Sequence, residues 1–235
     1  MSDPENSSLV ISYMTLRKMV GYLGILLPVL VVIGGELIPA GEIRDSVSAY
    51  YYSSMRDLFV GSLCMVGVFL YSYRGYDWLD DFLTSLSGLL ALGVALFPTR
   101  SEEKVPVAVG IFQLNDFVSG FIHYTCAVLL FVLLASISTF LFTKTADPQA
   151  MTKQKKARNH FYRICGGIMF AAMLVCGVFC LPVLKNAAPP HLILGVETSC
   201  LWAFGISWLI KGEALLGDEV AAGLAPSGTG GPAVT

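Results

Sequence analysis

The chain has 235 residues, 55% of them hydrophobic and 14% charged, and a formal net charge of -2. A soluble domain carries about 25% charged residues, so this composition excludes an ordinary soluble fold. The small negative charge gives no reason to expect nucleic acid as a partner.

The start, MSDPENSS, is polar and acidic and lacks the basic region of a secretory leader. Residues 1–18 read as a short N-terminal segment, and the first apolar span is expected to act as its own insertion signal. That span is predicted from Val20 to Leu37, with Pro28 inside it and Glu36 near its end. Neighbouring helices can absorb such a proline kink. The next stretch, GEIRDSVSAYYYSSMRDLFVG from Gly41 to Gly61, sets three consecutive tyrosines ahead of Arg56 and Asp57. It reads either as an aromatic belt with an interfacial anchor, or as the mouth of a pocket. In the second reading Arg56 binds an anion, Asp57 orients it and a tyrosine such as Tyr51 stacks or donates.

Two short spans follow, Leu58 to Tyr73 and Phe82 to Phe97. Crossing about 30 Å of hydrocarbon takes roughly 20 helical residues, so both lean on their flanks. The loop between them, YRGYDWLDD, carries the Tyr, Trp, Arg and Asp of an interfacial anchor. The segment Val105 to Leu114 is apolar but brief. A fourth span runs from Phe117 to Phe142, preceded by Asn115 and Asp116 and carrying His123. Asp116 and His123 are about two turns apart and so share a helix face. A fifth span is predicted from Cys165 to Val183 and a sixth from Leu192 to Ile210, with Glu197 inside it. The tail beyond, rich in Gly and Pro from Leu224, is expected to be disordered. Residues 19–212 thus form one all-α transmembrane domain of six spans, and residues 213–235 form a tail.

The loop from Lys144 to Arg163 holds six Lys and Arg residues. Basic loops stay in the cytoplasm, which places Arg17, Lys18, Arg74 and Lys211 there as well, and with them both termini. The expected location is the cytoplasmic (inner) membrane, crossed several times, with membrane lipid as the first partner. Gly61, Gly67, Gly88 and Gly93 permit close helix contacts, within the chain or between copies in a homo-oligomer.

Ionisable residues inside a bilayer are costly and mark sites or structural networks. Glu36, Asp57, His123 and Glu197 come from four helices at a similar predicted depth. With Tyr51, Arg56 and Asp116 they form the candidate ligand-binding set, on the outer side. The six cysteines follow neither a disulfide framework nor a zinc spacing. No metal ligand set or cofactor motif is present, so neither metal nor cofactor is expected.

At SAYYYSSMRDLFVG, YRGYD, ALFPT, IHY and RNHFYRICG, within residues 40 to 170, the chain resembles a family of bacterial multi-spanning proteins. This is the group catalogued as domain of unknown function 998. The resemblance implies a multi-pass helical architecture and carries no activity. Membrane hydrolases related to alkaline ceramidases use Ser, Asp and three His around zinc. This chain has three His in all, with His160 on the opposite side from His123 and His191, so the comparison argues against that activity. The reading that follows is a membrane protein with an outward-facing polar pocket that binds or moves a lipid headgroup or small polar solute. A lipid hydrolase or transferase using His123, and a structural or regulatory subunit, remain alternatives.

Overall fold

A computed structural model describes residues 4–36, 43–101, 110–145 and 151–216, with side chains from Tyr13 onward and excluding those of Glu36 and Lys185. The tail from Leu224 and the first half of the Val105–Leu114 segment lie outside the described residues. Within them the chain is all-helical. The helices are α1 (Pro4–Glu36), α2 (Arg56–Ser72), α3 (Trp78–Leu96), α4 (Asp116–Ser136), α5 (Lys153–Phe179) and α6 (Leu192–Lys211). A 3-10 turn, Ser48–Tyr52, precedes α2, and a π-helical turn, Ile137–Leu141, extends α4.

Local chemistry sets the starts. Pro4 opens α1, where its missing N–H costs nothing. Asp77, Asn115 and Thr152 cap α3, α4 and α5, their side chains accepting from the backbone N–H groups of Asp80, Val118 and Lys155. Pro28 stays inside α1. Near that interruption the Trp202 indole of α6 donates to the Ile25 carbonyl at 3.1 Å.

Each helix packs on its neighbours in sequence, and α6 closes the ring against α1. The up-and-down course of the helices brings Arg17 of α1, Lys144, Lys155 of α5 and Lys211 of α6 together at one end, the basic end. The 3-10 turn lies at the other. Five helices are long and apolar enough to cross a bilayer, and only 22–50% of the residues in their apolar windows are buried. The remainder, such as Leu26, Ile33, Val68, Phe121, Val128 and Leu174, form an exposed apolar girdle. A water-soluble monomer does not carry so large a patch. The sequence reading counts six spans. α2, at 17 residues, is about 26 Å long and falls short of the hydrocarbon thickness. The residues that would lengthen it wind instead into the 3-10 turn.

Glycines set the closest helix contacts, and their partners lie within the chain. Gly88 of α3 meets the Gly67 carbonyl of α2, and a β-carbon added there would sit 2.5 Å from that oxygen and 2.6 Å from the Tyr71 nitrogen. Gly205 of α6 meets the Gly21 carbonyl of α1 in the same way, at 2.6 Å. Gly93 faces Cys126 of α4, whereas Gly61 has open space before it. Backbone cannot yield as a side-chain tip can, so Gly88→Ala should destabilise the bundle by about 1–3 kcal/mol, while Gly61→Ala should be neutral. Unfolding midpoints of the two variants in the same detergent would check this; equal midpoints would discard the close α2–α3 contact.

The basic end is held by aromatic packing and one ion-pair group. Trp208 of α6 is 1% exposed. It meets Phe69, Tyr73 and Phe142 edge-on, with centroids 5.2–5.3 Å apart. Lys144 bridges Asp77 and the buried Asp80, and Asp80 also accepts from the Tyr76 backbone N–H at 3.0 Å. The pairing with Lys144 holds the Asp77 carboxyl below the usual range, and Asp77 and Asp80 raise the Lys144 ammonium above its own.

Candidate functional site

Three consecutive tyrosines reach three surroundings because a 3-10 helix turns about 120° per residue. Tyr50 is buried, its ring packed where a side chain at Gly35 would otherwise lie. Tyr51 lies under the Arg56 guanidinium, 4.8 Å from the ring centroid, and Arg56 Nε donates to the Tyr51 carbonyl at 2.8 Å. The Tyr52 hydroxyl crosses to the Thr99 carbonyl at 2.7 Å. Burial, and then the nearby Asp116 carboxylate, push the Tyr52 phenol up to about 12. Burial also pushes Tyr73, at the opposite end, up to about 12, against the lowering effect of Arg17.

A phenol whose folded pKa is raised supports the fold fully below its ordinary value of 10.0 and loses that support as pH rises through about 12. Stability should therefore fall between these values. The ultraviolet phenolate band should show Tyr52 and Tyr73 among the phenols that titrate late. A single phenolate transition near the ordinary value would contradict both burials.

The start of this turn is held from α6. The Ser48 backbone N–H donates to Glu197 Oε2 at 3.1 Å, and the Ser48 hydroxyl donates to Oε1 at 2.8 Å. A carboxylate at the N-terminus of a helical turn satisfies donors that the turn leaves unpaired. A second tie lies beside it: Leu194 N–H donates to the Asp45 carbonyl at 2.8 Å, and His191 Nδ1 lies 3.1 Å from Asp45 Oδ1.

One face of α4 fastens the connection from α3. Asp116 Oδ1 accepts from Ser101 N–H at 2.9 Å, and the Ser119 hydroxyl donates to the Pro98 carbonyl at 2.8 Å. His123 Nδ1 lies 2.8 Å from the Phe97 carbonyl and 3.1 Å from the Val94 carbonyl. Both partners are acceptors, so Nδ1 carries the proton, and Nε2 is the ring nitrogen left for a ligand. The shared face of Asp116 and His123 serves one connection: His123 caps the end of α3 and Asp116 holds Ser101 beyond it.

Glu197 and His123 line one cleft of about 620 Å³. α4 and α5 touch near Ala135 and Gly166, then part so that Val128 and Phe131 face Met173 and Cys176 across the cleft. Its walls are largely apolar; Asp45, Ser46, Thr99, Arg100, Ser101, His123 and Glu197 supply the polar groups. Below Glu197, on the ring axis, is an apolar void of about 50 Å³ that shares Ala127, Phe131 and Glu197 with the cleft. Cys176 and Cys180 also line the cleft, and all six cysteines are free.

The seven sequence candidates therefore divide. His123 and Glu197 share the cleft. Asp116 supports its rim through Ser101. Tyr51, Arg56 and Asp57 do not line it: Arg56 and Asp57 are exposed at the start of α2, beside the 3-10 turn. Glu36 ends α1, and its side chain lies outside the described residues. Sequence reasoning missed Asp45, Ser46 and the Thr99–Ser101 rim, which no periodicity marks. Arg100 carried one usable signal, as a cation just beyond a span ended by proline. Among the described residues no three His, Cys, Asp or Glu side chains gather as a metal ligand set. The Ser48 hydroxyl donates to Glu197 and not to a histidine.

Fold and girdle together define a multi-pass helical membrane protein. In comparisons with known proteins, no family model, no curated protein and no solved structure matches the chain.

Proposed function

We propose that this is a six-pass protein of the cytoplasmic membrane, with both termini inside, whose outer cleft binds an amphiphile: a lipid headgroup or a small polar solute with an apolar part. The observation that carries the reading is the cleft of about 620 Å³ between α4, α5 and α6, within the range of small-molecule sites. The polar head would meet Arg100, His123 Nε2 and the hydroxyls of Ser46 and Ser101. The apolar part would lie along Val128, Phe131, Met173 and Val196. Glu197 ties the turn that forms one wall and separates the cleft from the axial void. The resemblance to the bacterial multi-spanning group agrees with this placement and adds no ligand.

The test uses the full chain purified in mild detergent. Native mass spectrometry should find a retained amphiphile that His123→Ala and Glu197→Gln release. Cys180 is exposed and lines the cleft, so its alkylation should be at least tenfold slower in the loaded protein than in the stripped one. An apo mass throughout, with one alkylation rate for Cys180, would defeat the reading and leave a structural or regulatory subunit.

A further inference from the structure

A second cavity, of about 490 Å³, lies at the opposite end of the bundle from the cleft. Four elements contribute cations to it: Arg17 from α1, Lys144 from the α4–α5 connection, Lys155 and Arg158 from α5, and Lys211 from α6. Lys144 is neutralised by Asp77 and Asp80. Among the described residues the lining holds one carboxylate beside the remaining four, Glu213, which lies 4.0 Å from Arg158.

Two of these cations are held in place without being satisfied. The Arg17 guanidinium sits 4.4 Å from the Tyr13 ring centroid and donates to the Tyr73 hydroxyl at 3.2 Å. Its Nε is buried and has no hydrogen-bond partner. Lys211 Nζ lies 5.1 Å from the Phe142 ring and 5.7 Å from the Tyr76 ring, and makes no hydrogen bond or ion pair among the described residues. Among the described residues the Lys211 ammonium rests on aromatic faces with no anion in contact to balance it. Lys155 Nζ donates to the Phe142 carbonyl at 3.2 Å, which fixes its position. Thr145, Thr152, Tyr76 and Tyr162 add hydroxyls to the lining, and the capped N-terminus of α5 opens onto it. That helix end favours negative charge.

We propose that this cavity is a binding site for a phosphate-bearing anion, gripped by Lys211, Arg17, Lys155 and Arg158. Exposed loop lysines would only draw the chain to an anionic surface. Here cations from three helices converge on one volume, with hydroxyl donors between them, and a phosphate can accept from several at once. The phosphate could belong to a lipid headgroup or to a free solute, and the two sources are separable. The inference stands independently of the outer cleft.

The experiment uses the full chain in phosphatidylcholine nanodiscs. One arm titrates inorganic pyrophosphate calorimetrically. The other equilibrates the protein with vesicles of phosphatidylcholine containing phosphatidylglycerol and reads retained lipid by native mass spectrometry. The expected result is saturable binding in at least one arm, and the positive arm names the source. Lys211→Gln should weaken that binding at least tenfold. Lys155→Gln, on the same cavity, serves if Lys211→Gln fails to fold. The charge-matched control Lys153→Gln/Lys156→Gln, outside the lining, should bind as the parent does. Binding in neither arm, or equal weakening by the control, overturns the proposal. Binding that emerges only in Asp218→Asn/Glu219→Gln also overturns it, because the cavity would then be a seat for the chain's own acidic tail.

Discussion

Trp208→Ala should destabilise the bundle by about 2–4 kcal/mol, the largest loss expected from a single core truncation in this chain. The size follows from geometry. In a lipid-embedded bundle, removing apolar area from water is not what holds helices together; packing is. Trp208 makes three edge-to-face contacts, with Phe69 and Tyr73 from the α2 end and Phe142 after α4. Such pairs contribute about 0.5–1.5 kcal/mol each beyond burial. The ring is also the largest fully buried side chain among the described residues, so alanine leaves a void that surrounding helices can fill only partly. Trp208→Phe should recover roughly half. Unfolding by a denaturing detergent, followed by helicity, reads the difference. A midpoint unchanged in Trp208→Ala would mean that α2, α4 and α6 are not joined through this ring.

Glu197→Leu should cost about 2–4 kcal/mol and also abolish retention of the amphiphile proposed for the cleft. Leucine fills a similar volume, so the loss is polar. It strands the Ser48 N–H and hydroxyl, both at a residue only 6% exposed, and an unmet buried donor costs about 1–3 kcal/mol. Glu197→Gln should cost about 1–2 kcal/mol: its amide oxygen can accept from the Ser48 N–H while its NH₂ donates to the Ser48 hydroxyl, so two charge-assisted bonds become neutral ones. Ser48→Ala should resemble Gln more than Leu, since it removes one of the two bonds. Graded unfolding midpoints with Leu lowest would assign Glu197 to the turn. If all three variants unfold like the parent and yet lose the ligand, the carboxylate acts on the ligand alone and the capping role is wrong.

Several features were legible in the residues. Low charge and long apolar stretches are local properties, and lipid forbids unpaired backbone across its core, so an all-helical multi-pass architecture follows from sequence directly. The helix starts were less legible: the apolar runs begin spans three and five at Phe82 and Cys165, whereas the caps Asp77 and Thr152 start α3 and α5 earlier. The depth of Glu197 and His123 was readable too, as costly polar positions inside apolar runs. The fate of each was not. Whether His123 caps α3 or faces a ligand, and whether Glu197 meets Ser48 or lipid, depends on residues 26 to 149 positions away, and no pattern within one helix records that distance.

Helix order around the ring, the parting of α4 from α5 and the gathering of four cations at one end are likewise relations between elements. So is the partner of each glycine: Gly67 and Gly88 meet each other, Gly93 meets Cys126, and Gly61 meets nothing. By itself the sequence determined that this chain folds as helices in lipid, and which of its polar groups are expensive to place there. The tertiary structure alone decided which of those groups meet, because helices in a bilayer gain little from burial and are positioned by close packing and paired polar contacts.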